Sequence, residues 1–179
     1  MSKKKNHKTL FVNMFGGPGS GKSTMAASVF AELKWLGIDC EYVSEYAKDK
    51  VWEESYHVLN CQPLVLGKQL SRIFRLNGKV EVVVTDSPIL LSPIYDKYRS
   101  KAFLAHVVEQ FSMYNNYNIF LKRVKKYNPN GRMQTLSEAE KLDLRIREML
   151  ICTDTPFVLY NGERKSVSKI VGDIKRIIG

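Results

Sequence analysis

The stretch that decides the fold reads Leu10-Phe-Val-Asn-Met-Phe-Gly-Gly-Pro-Gly-Ser-Gly-Lys-Ser-Thr24. It opens with an apolar run that is typical of a strand. The residues that follow match the pattern G-x-x-x-x-G-K-[ST], and a helical pattern covers residues 22–36. The glycines allow backbone N–H groups to turn inward around an anion, and the helix adds the positive end of its dipole. The sequence therefore predicts a phosphate-binding loop (P-loop) between a strand and a helix.

This loop predicts a nucleotide site for ATP with Mg²⁺. We expect the Lys22 ammonium to reach the β- and γ-phosphates and the Ser23 hydroxyl to bind Mg²⁺. The expected nucleotide-binding residues are Gly17, Pro18, Gly19, Ser20, Gly21, Lys22, Ser23 and Thr24.

Strand-like and helix-like patterns alternate along the rest of the chain. Strands are predicted at residues 10–15, 39–43, 80–85, 119–121 and 155–160. Helices are predicted at 22–36, 103–114, 136–150 and 166–178, and 45–77 is expected to be mostly helical with a break near 60–63. Parallel strands need crossover connections, so the alternation predicts an α/β fold with a five-stranded parallel sheet covered by helices on both faces. Residues 1–8 are predicted to be a basic tail and 9–179 a single domain.

Two carboxylates follow predicted strands at the edge where ligands bind in such sheets. Asp86 directly follows a Val-Val-Val-Thr run, and we expect it to hold Mg²⁺ or its water shell. Glu45 follows the second strand and is a candidate to accept the proton of an acceptor hydroxyl. The alternative for Glu45 is an acid that only stabilises a helix N-terminus.

A basic segment at 121–134 contains Asn-Pro and Asn-Gly turns and five cations. We predict a lid at about 123–135, in which Arg123 and Arg132 close on the transferring phosphate and stabilise its charge. A basic surface loop and a contact to a DNA backbone are the alternatives.

Three residues are candidates for recognising an acceptor. Gln69 and Arg72 lie three apart on one predicted helix face, where they could read a base edge beside Glu45. Trp52, Tyr46 and Tyr56 could stack on a ring, and core packing is the alternative for at least one of them.

Composition limits the class of protein. The chain has 179 residues, a net charge of +10 and a pI near 9.5, which favours polyanionic partners and leaves room for DNA. Three scattered cysteines favour a reducing compartment, so we expect a cytoplasmic protein, in the host cytoplasm if it is viral. No run is long enough to cross a membrane, and no membrane partner is expected.

Several short motifs together resemble the ribosylnicotinamide-kinase-like branch of P-loop kinases. They are residues 16–24, Ser44-Glu-Tyr-Ala47, Gln69, Thr85-Asp-Ser87, Arg123 and Gly131-Arg-Met-Gln134. The chain is also similar to small phage proteins described as AAA-type ATP-binding proteins. The resemblance implies a P-loop NTPase, nucleoside-kinase-like three-layer α/β fold with a five-stranded parallel sheet. It also implies ATP with Mg²⁺ as phosphate donor and a hydroxyl of a nucleoside-type acceptor.

The chain departs from AAA motors, because no hydrophobic-DD/DE signature follows Thr85-Asp-Ser-Pro88. In size and P-loop type it resembles phage kinases that phosphorylate 5-hydroxymethyluracil within DNA. We therefore expect 5-hydroxymethyluracil in phage DNA as the first specific acceptor and a free nucleoside such as ribosylnicotinamide as the next. A DNA-stimulated ATPase or nucleotide-dependent switch is the alternative function.

Overall fold

The structure is a computed structural model that describes residues 8–124, 126 and 135–179. At its centre is a sheet of five parallel strands in the order β2-β3-β1-β4-β5. The strands are β1 (Leu10–Phe15), β2 (Cys40–Val43), β3 (Val82–Thr85), β4 (Asn115–Lys122) and β5 (Val158–Asn161). The predicted α/β fold with a five-stranded parallel sheet is confirmed.

Helices cover both faces of this sheet. They are α1 (Lys22–Trp35), α2 (Tyr46–Trp52), α3 (Tyr56–Leu59), α4 (Gln62–Phe74), α5 (Ser92–Tyr95), α6 (Lys101–Ser112), α7 (Leu136–Cys152) and α8 (Ser166–Ile178). Buried apolar residues of α1 and α8, such as Val29 and Ile170, pack on one face. Those of α4, α6 and α7, such as Leu66, Val107 and Ile146, pack on the other. Burial on both faces explains the continuous apolar runs of β1 and β3.

The region after β2 differs in detail from its prediction. The expected break separates α3 from α4, but a second break, with Glu54 at φ 55°, separates α2 from α3. A 3₁₀ turn at Ile89–Leu91 leads into α5, and neither element was predicted. Both elements follow Pro88, and α5 includes Pro93; prolines of this kind interrupt a longer helical pattern. These short elements surround the candidate site described below.

A buried amide network joins β1 to β4 beneath the P-loop. The Asn13 side chain donates to Asn116 Oδ1 at 2.9 Å and to Asn118 Oδ1 at 3.0 Å. Asn118 in turn donates to the Pro156 carbonyl at 3.0 Å. Because buried polar groups are costly unless they are bonded, this network favours one register for the two strands.

The predicted tail lies mostly outside the described residues, as does most of the predicted lid, including Arg132. Both stay predictions, and so does the single-domain assignment. No helix in the described ranges has the length and apolar character needed to cross a membrane.

Candidate active site

The P-loop connects β1 to α1, as predicted, and its conformation depends on glycine. Gly19 and Gly21 have φ values of 75° and 98°, which other residues rarely adopt, and α1 begins directly after Gly21. The Lys22 ammonium folds back over the loop and donates to the carbonyls of Gly16 at 2.7 Å and Gly17 at 3.2 Å. The loop therefore holds its lysine at the position where the sequence predicts bound phosphate.

The carboxylates of Glu45 and Asp86 both affect the pKa of Lys22. Burial lowers the pKa of Lys22, and the charges of Glu45, Asp86 and Asp143 oppose that shift. Burial also raises the pKa of Glu45; the Lys22 charge opposes the rise, and the Asp86 charge adds to it. Glu45 is thus a carboxylate with increased proton affinity beside the P-loop, as a general base requires.

Asp86 lies at the end of β3 and is 3% exposed. Among the residues that the structure describes, no group donates a hydrogen bond to its Oδ1 atom. A buried carboxylate oxygen without a donor is a suitable ligand for a hard cation or its bound water. The described residues contain no cluster of three or more metal-ligating side chains. A single carboxylate with the Ser23 hydroxyl fits Mg²⁺, which usually takes most of its ligands from phosphates and water.

Gln69 and Arg72 of α4 hold the turn that carries Glu45. The buried Gln69 amide accepts from the Tyr46 N–H at 3.0 Å and donates to the Ser44 carbonyl at 3.2 Å. Arg72 donates to the same carbonyl at 3.1 Å and forms an ion pair of 2.6 Å with Asp49. The two side chains share one helix face, and their amide and guanidinium groups contact the backbone beside Glu45. Their predicted contact with an acceptor stays a prediction.

Arg123 follows β4 and lies against the P-loop. Its guanidinium donates to the Pro18 carbonyl and forms an ion pair of 2.7 Å with Asp143 of α7. The other oxygen of Asp143 accepts a hydrogen bond from the Gly17 N–H. Contact of Arg123 with a transferring phosphate stays a prediction, and Asp143 was not predicted at all.

The sequence did contain a signal for Asp143. Residue 143 is four residues after Ala139 and three before Ile146, both of which are fully buried. A carboxylate on the buried face of a helix needs a partner in the protein.

A cavity of about 500 Å³ opens beside the P-loop. Cavities of this volume are typical of sites for small organic molecules. Its wall includes Gly19, Lys22 and Ser23 at the P-loop and Glu45 and Gln69 next to them. The remaining wall is largely apolar and aromatic and includes Val51, Trp52, Leu59, Val65, Leu91 and Tyr95. Of the three aromatic candidates, Trp52 lines this cavity, with 70% of its surface exposed.

Comparison with solved structures supports the fold. The chain superposes on a structure titled "Crystal structure of NadR protein in complex with NR" with a TM-score of 0.62 and 13% sequence identity. The match covers 92% of this chain and 51% of that protein, so the chain spans about half the length of the solved protein. At this identity the likeness concerns the fold alone.

A family model described as an AAA domain matches residues 11–166, from β1 through the start of α8. This range includes the P-loop, Glu45, Asp86, Arg123 and Asp143. Because the match covers well over half of the chain, the protein belongs to this AAA domain family of P-loop proteins.

Proposed function

We propose that this protein transfers the γ-phosphate of ATP to a hydroxyl of a nucleoside-type acceptor. One observation carries the proposal: a single cavity is lined by Lys22 and Ser23 of the P-loop, by Glu45, and by an apolar and aromatic wall. A P-loop ATPase needs only a phosphate site and a water, whereas a kinase also needs an adjoining pocket for a second substrate.

We propose the following roles for residues of this chain in the reaction. The P-loop N–H groups and Lys22 bind the phosphates. Ser23 and Asp86 would hold Mg²⁺, which would offset the negative charge of the phosphates. Glu45 accepts the proton of the acceptor hydroxyl. The acceptor oxygen then bonds to the γ-phosphorus as the bond to the β–γ bridging oxygen breaks, and ADP leaves with that oxygen. Arg123 and Arg132 are proposed to close over the transferred group.

The first specific acceptor that we propose is 5-hydroxymethyluracil within phage DNA. Its support is the net charge of +10, which exceeds what a single nucleotide requires. Because Glu45 lines a cavity rather than an exposed face, a base would have to leave the DNA stack to reach it. A free nucleoside such as ribosylnicotinamide is the next proposal, supported by the size of the cavity.

The test is transfer of label from γ-labelled ATP with Mg²⁺ to free nucleosides, nucleotides, plain DNA and DNA that contains 5-hydroxymethyluracil. Lys22→Ala is the control, because it removes the phosphate-binding ammonium without altering the acceptor wall. Label on modified DNA would support the first acceptor, and label on a free nucleoside would support the second. Label found only as inorganic phosphate would contradict the kinase proposal.

The second candidate function is a DNA-stimulated ATPase or nucleotide-dependent switch. The same charge of +10 favours it, because cations on the surface bind phosphate backbones regardless of sequence. It predicts that DNA accelerates release of inorganic phosphate while no acceptor becomes labelled. For either function we propose a cytoplasmic location, in the host cytoplasm if the protein is viral. The free cysteines Cys40, Cys61 and Cys152 are consistent with that compartment.

A further inference from the structure

Asp143 stands out as a buried-face carboxylate that no step of the proposed reaction uses. It lies on α7, a helix whose other acidic residues, Glu138, Glu140 and Glu148, are exposed. Its side chain is 20% exposed and contacts two separate groups. We propose that Asp143 is a positioning residue that fixes the first half of the P-loop in the conformation that binds ATP.

The contacts form a closed ring. Asp143 Oδ1 accepts from the Gly17 N–H, and Oδ2 accepts from Arg123 at 2.7 Å. Arg123, whose side chain is 10% exposed, donates its other terminal nitrogen to the Pro18 carbonyl. The ring therefore joins an N–H and a carbonyl of successive P-loop residues through one ion pair. Because the pair is largely buried, its hydrogen bonds are shielded from competing water.

The ring acts on Lys22 through the backbone of the loop. The Gly17 N–H that donates to Asp143 belongs to the same peptide group as the Gly16 carbonyl, which accepts a hydrogen bond from Lys22 at 2.7 Å. The Gly17 carbonyl, in the next peptide group, accepts from Lys22 at 3.2 Å. Rotation of the Gly16–Gly17 peptide would move an acceptor of the lysine and the adjacent N–H groups that line the phosphate site. Preorganisation of such donors is what makes a P-loop bind phosphate tightly.

Close packing supports the same role. A β-carbon on Gly17 would lie 2.7 Å from the Ala139 carbonyl oxygen and 2.8 Å from Asp143 Oδ1. Gly17 has no positive φ, so glycine is needed here for the approach of α7 rather than for backbone conformation. The helix is thus fitted directly against the loop.

The experiment measures the ATP dissociation constant of Asp143→Ala, Asp143→Asn and Gly17→Ala in the presence of Mg²⁺. Glu148→Gln, an exposed acid of the same helix, is the matched control. We expect Asp143→Ala to weaken ATP binding tenfold or more, and Gly17→Ala to do the same. Asp143→Asn should bind ATP with intermediate affinity, because its amide oxygen can still accept from Gly17. Glu148→Gln should stay within twofold of the wild type.

Two readouts separate positioning from a merely structural role. In the kinase assay, the KM for ATP should rise in Asp143→Ala while the KM for the acceptor stays within twofold. The melting temperature without nucleotide shows whether the variant is folded. Unchanged ATP affinity in folded Asp143→Ala would overturn the inference, and so would an equal loss of affinity for both substrates.

The inference rests on the proposed ATP site but not on the acceptor. If the wild-type protein binds ATP without phosphorylating any acceptor, the kinase proposal is wrong, but the role of Asp143 in ATP binding can still be tested. Wild-type protein that binds no ATP would overturn both.

Discussion

Gly162 lies so close to Ser20 that a β-carbon on Gly162 would be 2.3 Å from the Ser20 carbonyl oxygen. The Gly162 N–H also donates to the Lys122 carbonyl at 2.9 Å. The loop after β5 therefore packs directly against the P-loop and the end of β4. The P-loop is held by Gly162 on this side and by α7 through Gly17.

This contact predicts that Gly162→Ala weakens nucleotide binding. The added methyl group has to displace backbone, and overpacking of this kind destabilises proteins by about 1–3 kcal/mol. We expect the melting temperature to fall and ATP affinity to fall roughly tenfold, as a shift of about 1.4 kcal/mol in binding would give.

Gly172→Ala in α8 is the matched control. Nothing lies within 4 Å of the β-carbon that this change adds, so it should stabilise the helix by about 0.5–1 kcal/mol. Calorimetry and ATP titration would check both variants. A Gly162→Ala protein with wild-type affinity would contradict the prediction.

The raised pKa of Glu45 predicts a pH dependence for phosphate transfer. Glu45 must be deprotonated to accept a proton, so kcat should rise with pH through a pKa above the ordinary value of about 4.3. Glu45→Gln should lower kcat by about 10²–10⁴-fold. It should also remove the rise of kcat with pH on the acidic side of the pH profile, which we call the acidic limb.

Glu54→Gln, at an exposed acid in the break after α2, should leave both kcat and the pH profile unchanged. A pH–rate series on the three proteins is the measurement. If Glu45→Gln retained the acidic limb, another group would be the base.

The position of Trp52 in the cavity wall predicts that acceptor binding changes tryptophan fluorescence. The chain has two tryptophans, Trp52 in the cavity wall and Trp35 near the end of α1, and both are largely exposed. Stacking of a ring on Trp52 would change its emission. In the Trp35→Phe protein, we expect fluorescence to change as ribosylnicotinamide or an oligonucleotide that contains 5-hydroxymethyluracil is added.

The Trp52→Phe protein, which retains Trp35, is the complementary control and should show no change. A signal that persisted in Trp52→Phe and vanished in Trp35→Phe would place the acceptor elsewhere.

The hydrogen bonds of Asp173 predict that the stability of the fold decreases at acidic pH. Its carboxylate accepts from Tyr117 at 2.6 Å, from Tyr160, and from Arg176, and so joins α8 to β4 and β5. Burial opposes ionisation, but these hydrogen bonds and the Arg176 charge together lower the pKa of Asp173. A lowered pKa stabilises the fold above the unfolded value of about 3.9, and this contribution disappears as pH falls through the folded pKa.

Asp173→Asn should therefore lower the free energy of unfolding at neutral pH by about 1–3 kcal/mol. Each kcal/mol should lower the melting temperature by roughly 2–4 °C. The difference from the wild type should shrink below about pH 4, where the unfolded carboxyl is protonated. Asp154→Asn is the control, since Asp154 is exposed at φ 47°, a conformation that Asn tolerates well. A difference that stayed constant down to low pH would contradict the assignment.

Local sequence was enough for the architecture and for the phosphate site. The apolar run of β1 and the glycines before Lys22 can form few other structures, and the alternation of patterns implies parallel strands. Element ends were predicted less well, because tertiary pairing extends β4 back to Asn115, beyond its apolar residues.

The sequence by itself determined the sheet, the P-loop and the strand ends at which Glu45 and Asp86 lie, because these depend on local conformation and on the period of apolar residues. Only the tertiary structure decided which distant groups support them. Asp143 lies 126 residues from Gly17 along the chain, and Gln69 lies 25 residues from Ser44. Such pairings depend on how helices pack across the sheet, and no local pattern encodes that geometry. For the same reason, only the fold could show one cavity joining the phosphate site to an aromatic wall.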